Sequence, residues 1–122
     1  MSGNEIPPQV QHQISMLQQL QQKLEIIITQ RSQSEIQLRE TEQALSELEK
    51  IEQGSSVYKM VGTLLIKTQP EKVKEELRDK KETLELRVKT LQRQEERSRK
   101  QLEEMRAKVQ ESLQQRGLSP AG

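Results

Sequence analysis

The fold of this chain is decided by an apolar stretch near its middle, Val57-Tyr58-Lys59-Met60-Val61-Gly62-Thr63-Leu64-Leu65-Ile66-Lys67. The stretch is rich in β-branched and apolar residues and has no acidic residue, a composition that is typical of β-strands. The central Gly62-Thr63 predicts a two-residue turn of type II′, with glycine in the first position. We therefore expect a β-hairpin over about residues 56–68, with the turn placed to within a residue or two.

A long amphipathic helix is predicted before the hairpin, over about residues 7–53. Pro7-Pro8 suits its first turn, and Gly54 suits its C-terminal cap. Mostly apolar residues recur in two heptad positions, which is the seam of a coiled coil. The two positions are Val10, Leu17, Leu24, Arg31, Leu38 and Leu45, and Gln13, Leu20, Ile27, Ser34, Thr41 and Leu48.

A second amphipathic helix is predicted after the hairpin, over about residues 69–116. Thr68-Gln69-Pro70-Glu71 fits a capping box that opens it, and Gly117 with Pro120 ends it. Residues 1–6 and 117–122 are expected to be flexible ends. The seam positions are Leu77, Leu84, Leu91, Ser98 and Met105, and Lys81, Val88, Glu95, Leu102 and Val109.

These elements predict a single, mainly α domain in which the two helices form a long antiparallel coiled coil, with the β-hairpin between them. If facing residue numbers sum to about 125, Leu38 faces Val88 and Leu24 faces Leu102. The same register sets Arg31 opposite Glu95, two polar breaks in an apolar seam. This pair either fixes the register of the helices or is a coincidence in a charge-rich chain.

The composition excludes several classes of function. Charged residues make up 32% of the 122 residues, hydrophobic residues only 30%, and there is no cysteine. Disulfides and cysteine-based zinc sites are therefore excluded, and the single histidine, His12, is too few for a histidine metal site or a catalytic triad. No glycine-rich phosphate loop is present. We expect no catalysis, no cofactor and no metal.

Charge and hydropathy also limit the partners. The net charge of +1 gives no drive toward nucleic acid, and glutamates flank the basic cluster of Arg97, Arg99 and Lys100. The apolar run Ile26–Ile28 is far too short to span a membrane, and the N-terminus does not resemble a signal peptide. The sequence therefore predicts a cytoplasmic protein that binds neither nucleic acid nor membrane.

The hairpin needs a partner that two narrow helices do not offer. An isolated two-stranded hairpin is at best marginally stable in water, and its edges are unpaired. We expect strands of several chains to join into a shared β-barrel, although folding back onto its own helices is the alternative. The predicted subunit interface consists of Val57, Tyr58, Met60, Val61, Gly62, Leu64, Leu65 and Ile66.

The order of helix, hairpin and helix resembles the beta subunit of prefoldin, in its archaeal, single-hairpin form. The hairpin stretch is the most specific part of the resemblance. Pro7-Pro8-Gln9-Val10-Gln11, Lys81-Glu82-Thr83-Leu84-Glu85-Leu86-Arg87 and Arg93-Gln94-Glu95-Glu96-Arg97 extend it over nearly the whole chain.

The resemblance implies a heterohexamer of two alpha and four beta subunits, with coiled coils that hang from a β-barrel body. It implies an ATP-independent chaperone that holds non-native proteins and delivers them to a group II chaperonin. A structural coiled-coil scaffold or tether without chaperone activity is the alternative, and a helix that binds nucleic acid is a third.

The client-binding residues are expected at the free ends of the helices, far from the hairpin. Coiled-coil ends fray because their last turns lack partners on one side, and fraying would expose apolar side chains. These residues are either client-binding or simply the last core layers, or both. They are Ile6, Val10, Ile14, Leu17, Val109, Leu113 and Leu118, and Met16 and Met105 add adaptable contacts.

Overall fold

Two long helices joined by a β-hairpin make up the described part of the chain, residues 6–115 of the computed structural model. Helix α1 is Pro8–Lys50, strands β1 and β2 are Val57–Val61 and Leu64–Thr68, and helix α2 is Pro70–Gln115. The predicted mainly α fold with a hairpin between the helices is confirmed. The predicted end segments lie almost wholly outside the described residues.

Both helices begin with proline, which suits a first helical turn because its missing N–H has no helical partner there. In α1 the Gln11 amide donates to the Pro7 carbonyl at 3.0 Å, and in α2 the Val73 amide donates to the Gln69 carbonyl at 3.3 Å. Gln69, and not Thr68, is therefore the residue that caps α2. Thr68 closes strand β2 instead.

Two sequence expectations at the helix ends are consequently wrong in detail. The capping box does not form, because Glu71 pairs forward with the Lys74 ammonium at 3.2 Å rather than back toward Thr68. Gly54 does not cap α1, which already ends at Lys50. Gly54 has a φ of 90° inside a turn in which the Ser55 amide donates to the Glu52 carbonyl at 3.1 Å. A positive φ at the third residue is the mark of a type II turn, which glycine adopts without strain.

The hairpin has the register that its central glycine predicts. Val61 pairs with Leu64 and Val57 pairs with Thr68, so that Gly62 and Thr63 form a two-residue loop. Gly62 has a φ of 61°, whereas Thr63 does not have a positive φ. This combination is a type II′ turn, because type I′ would require a positive φ at both residues.

The described residues form two compact units, one from residues up to 30 and from 91 onward, and one from residues 31–90. In both units the apolar seam positions are buried or half-buried. Three buried seam residues are polar, namely Ser34, Thr41 and Ser98. The Thr41 hydroxyl donates to the Gln37 carbonyl at 2.8 Å, which satisfies it inside its own helix.

Arg31 and Glu95 are both largely buried, with side-chain exposures of 25% and 16%. Each has an ion-pair partner on its own helix. The Arg31 guanidinium donates to Glu35 at 3.1 Å, and that of Arg99 donates to Glu95 at 3.2 Å. Both side chains therefore take the seam positions that the heptads assign to them, and their pairing with each other stays a prediction.

Candidate functional site: an exposed hairpin and a packed helix tip

The hairpin presents two faces of different composition. Directly paired residues of antiparallel strands lie on the same face, and successive residues alternate between faces. One face carries the pairs Val57–Thr68, Lys59–Ile66 and Val61–Leu64, and the other carries Tyr58–Lys67 and Met60–Leu65. We call the second the outer face, because Lys59 on the first is bonded to helix α2.

Apolar side chains of the hairpin are exposed to an extent that is unusual for a folded protein. Met60 is 68% exposed and Leu65 is 65% exposed, both on the outer face. Contiguous exposed apolar surface marks sites of protein interaction. The other exposed interface residues are Tyr58, Val61, Gly62, Leu64 and Ile66, and Val57 alone is half-buried.

The main chain of the hairpin also offers unpaired hydrogen-bonding groups. In a hairpin with a two-residue loop, the pair that flanks the loop is hydrogen-bonded, and bonded pairs alternate with non-bonded ones. Tyr58 and Met60 therefore direct their main-chain groups away from β2, and Leu65 and Lys67 direct theirs away from β1. The described sheet has only these two strands, so both edges are open to a further strand.

One ion pair ties the hairpin to helix α2. The Lys59 ammonium donates to the Glu76 carboxylate at 2.8 Å. This hydrogen bond is the main cause that lowers the pKa of Glu76, and the positive charges of Lys59 and Lys72 lower it further. Partial loss of water around the carboxylate acts in the opposite direction and raises the pKa. The pair was not predicted, because a separation of 17 residues gives no periodic signal. The pair links the face that carries Lys59 to α2.

Five of the predicted client-binding residues pack together at the helix ends. Buried Val10 of α1 contacts buried Val109 and Leu113 of α2, and Ile14 and Leu17 pack against this core. We call these five residues the tip cluster. In this closed arrangement Val10, Val109 and Leu113 are buried, whereas Ile14 and Leu17 are half-buried.

The remaining predicted tip residues differ from one another in position. Ile6 is exposed, whereas Leu118 lies outside the described residues. Met16 is also exposed, and it lines a surface groove together with Leu20 and Met105. This methionine groove has a volume of ≈ 260 Å³, and Gln101, Glu104 and Lys108 also line it. The groove offers apolar contact beside the tip cluster without any opening of the helices.

A further exposed side chain was not predicted. Ile26 is 58% exposed and lies in a groove of ≈ 470 Å³ with Lys23 and Arg97. The heptad pattern assigns Ile27 and Ile28 to the seam or its edge, which leaves Ile26 outside. Its exposure follows from that spacing, so the signal was present in the sequence.

The described residues carry none of the arrangements that would hold a metal ion. No group of three or more histidine, cysteine, aspartate or glutamate side chains comes together in residues 6–115. Within the same residues, neither helix is apolar enough over a sufficient length to cross a membrane. The features left to explain are the exposed hairpin and the apolar tip.

Known proteins share this arrangement along nearly the whole chain. The family model described as prefoldin subunit matches residues 11–116. A prefoldin subunit beta of Archaeoglobus fulgidus is 54% identical over 90 residues, which cover 74% of this chain and 78% of that protein. The chain belongs to the prefoldin subunit family.

Further relatives agree with the prefoldin assignment. The prefoldin subunit beta of Thermococcus onnurineus is 44% identical over 108 residues, covering 88% of this chain and 93% of that protein. The crystal structure of the prefoldin beta subunit from Thermococcus strain KS-1 superposes with a TM-score of 0.79 at 40% identity. That likeness covers 89% of this chain and 96% of the other. Prefoldin is a family of chaperone subunits and not of enzymes.

Proposed function

We propose that this chain is a subunit of an ATP-independent chaperone that holds non-native proteins. Its hairpin joins those of other prefoldin subunits in a β-barrel, in a complex of two alpha and four beta subunits. Its helix tips bind the exposed apolar segments of a client, which is then delivered to a group II chaperonin. The complex works in the cytoplasm, without nucleic acid or membrane.

The exposed hairpin is the observation that carries the assembly step. Six large apolar side chains of the hairpin are each at least 46% exposed. Such a surface favours association, because burial of apolar area is the main favourable term when proteins bind one another. Two open strand edges add main-chain hydrogen bonds to that drive, as in strand addition between proteins. Membership in a family whose relatives are named as subunits supports the same conclusion.

The tip cluster and the methionine groove support the binding of clients. Both contain apolar side chains, and both lie at the helix ends that are farthest in sequence from the hairpin. Methionine side chains are flexible and polarisable, so they adapt to varied apolar partners. Each contact is weak, and several tips on one body raise the effective concentration for the next contact. Release then requires no nucleotide.

The test uses the full chain mixed with an alpha-type prefoldin subunit. Native mass spectrometry should give the mass of a complex of two alpha and four beta chains. Light scattering should show that this complex suppresses the aggregation of a chemically unfolded protein without nucleotide. The structural scaffold predicts the assembly without the suppression, and a nucleic-acid-binding helix predicts salt-dependent binding to DNA or RNA, which we do not expect.

A truncated chain tests where clients bind. A variant that lacks residues 1–14 and 108–122 removes most of the tip cluster but retains the whole hairpin. We expect it to assemble and to lose most of its suppression of aggregation. Suppression equal to that of the full chain would contradict the role of the tips.

A further inference from the structure

Gln13 introduces a polar atom into the apolar tip. The heptad pattern assigns Gln13 to the seam, and its side chain is half-buried in the structure. The Oε1 atom of its amide is shielded from water and accepts no hydrogen bond. Among residues 6–115 this is the sole buried side-chain oxygen or nitrogen in that condition. Buried polar atoms without a partner are rare in folded proteins, and each one requires a physical explanation.

The position of Gln13 gives that explanation. Val10 lies three residues before it and Leu17 four residues after it, so that all three share one face of α1. Both neighbours belong to the tip cluster, which packs against Val109 and Leu113. The residues that close the tip therefore lie on the same face of α1 as the Gln13 side chain.

Closing the tip consequently removes water from an amide oxygen and returns no hydrogen bond. Leaving a buried amide without a hydrogen bond shifts the equilibrium between the closed and the open tip toward the open tip by about tenfold or more. Separating the helix ends relieves this deficit, since water then reaches the amide.

We propose that Gln13 sets the balance between the closed and the open tip and thereby controls how readily the tip cluster is offered to a client. The proposal rests on the proposed client binding and names the residue that regulates it. Gln13 acts through the tip cluster and need not touch the client. Its unsatisfied amide keeps the closed tip weak enough to open without an energy source.

Two matched substitutions on α1 test this role in the assembled complex. Gln13→Met keeps the length of the side chain and removes the polar atom, so it should slow amide hydrogen exchange over residues 8–20 by about tenfold. Capture of an unfolded protein should weaken by a similar factor. Gln18→Met makes the same chemical change at an exposed position, and it should leave exchange unchanged and capture equal or stronger.

A third substitution should act in the opposite direction. Gln13→Glu places a carboxylate in the same enclosure, and burial of a charge is more unfavourable than burial of an amide. Exchange at the tip should become faster and capture stronger. All three variants should assemble to the mass of the unmodified complex, because none of the substitutions touches the hairpin.

The outcomes separate this inference from the function on which it rests. Unchanged exchange in Gln13→Met would overturn the inference, and so would slower exchange together with unchanged capture. Failure of the unmodified complex to capture any unfolded protein would instead contradict the proposed function. In that case the exchange rates of Gln13→Met and Gln18→Met would still show whether Gln13 governs opening.

Discussion

The hairpin and the tip cluster are both apolar, yet the hairpin is exposed to solvent and the tip cluster is mostly buried. Met60 in the hairpin is 68% exposed, whereas Val10 in the tip is 3% exposed. The outer face of the hairpin is uncovered within the described chain. The residues of the tip cluster instead pack against one another within their own unit. In the proposed function, permanent assembly and transient client binding correspond to these two states of similar side chains.

The largest expected effect comes from charging the outer face of the hairpin. The double variant Met60→Glu with Leu65→Glu would bury two carboxylates in an apolar interface, where each unpaired charge is opposed by several kcal/mol. Assembly measured by native mass spectrometry should weaken by about a thousandfold or more. The helices should remain, as judged by circular dichroism.

Two exposed apolar residues on the helices provide the control for that variant. Ile36 is 45% exposed and Leu86 is 61% exposed, so Ile36→Glu with Leu86→Glu adds the same charge at similarly exposed positions. This variant should assemble normally. Equal loss of assembly in both double variants would show that net charge, and not the outer face, decides association.

A smaller effect is expected from the turn of the hairpin. Gly62 has a φ of 61°, and no atom lies within 4 Å of the place that a Cβ would take, so Gly62→Val meets conformational strain rather than a clash. The strain of an L-residue in this region is about 1–2 kcal/mol, which should weaken assembly by about tenfold on dilution. Thr63→Val, at the neighbouring residue without positive φ, should have little effect. Undiminished assembly of Gly62→Val would indicate that the turn rearranges in the complex.

At the tip, loss of a single exposed side chain should have a milder result. Met16→Gln makes the methionine groove polar without disturbing the buried cluster, and it should reduce client capture by about threefold. Met16→Leu retains the apolar surface and should capture clients normally. Hydrogen exchange over residues 8–20 should be the same in both, because neither changes the packing of Val10 or Leu113.

The smallest effect concerns the ion pair between Lys59 and Glu76. The pKa of Glu76 is lowered in the folded chain. The ion pair therefore stabilises the folded chain at neutral pH, and this stabilisation is lost as the pH falls through the lowered pKa. Glu76→Gln should remove this acid dependence and weaken assembly by no more than a few-fold, since the pair is exposed to solvent. Titration of assembly against pH checks it. An identical acid profile in Glu76→Gln would assign the dependence to other groups.

The sequence was most informative where side-chain periodicity or a glycine constrained the backbone. The register around Gly62 followed from the turn type, and the burial of Leu24, Leu84 and Leu102 followed from the heptads. The ends of the helices were predicted less accurately, because Thr68 and Gln69 can both precede a helix that begins at proline. The ion pair between Lys59 and Glu76 depends on the position of the hairpin relative to α2, which no local sequence pattern predicts.

The features of the candidate site also differ in whether the sequence predicted them. Apolar content predicted that the residues of the hairpin would need a partner, and helix order predicted that Val10 and Leu113 would lie together. The unsatisfied amide of Gln13 could not be predicted, because glutamine at a seam position usually reaches water or a donor with its long side chain. Only the packing around its terminal atoms shows that it does neither.

Tyr58 is the sole aromatic residue of the chain and lies on the outer face of the hairpin, where it is 62% exposed. Near-ultraviolet light absorbed or emitted by this polypeptide therefore comes from one ring on the outer face of the hairpin. In the proposed assembly, its intrinsic fluorescence reports on the surface at which subunits meet. Association and dissociation of unmodified chains should therefore be measurable in real time by tyrosine fluorescence.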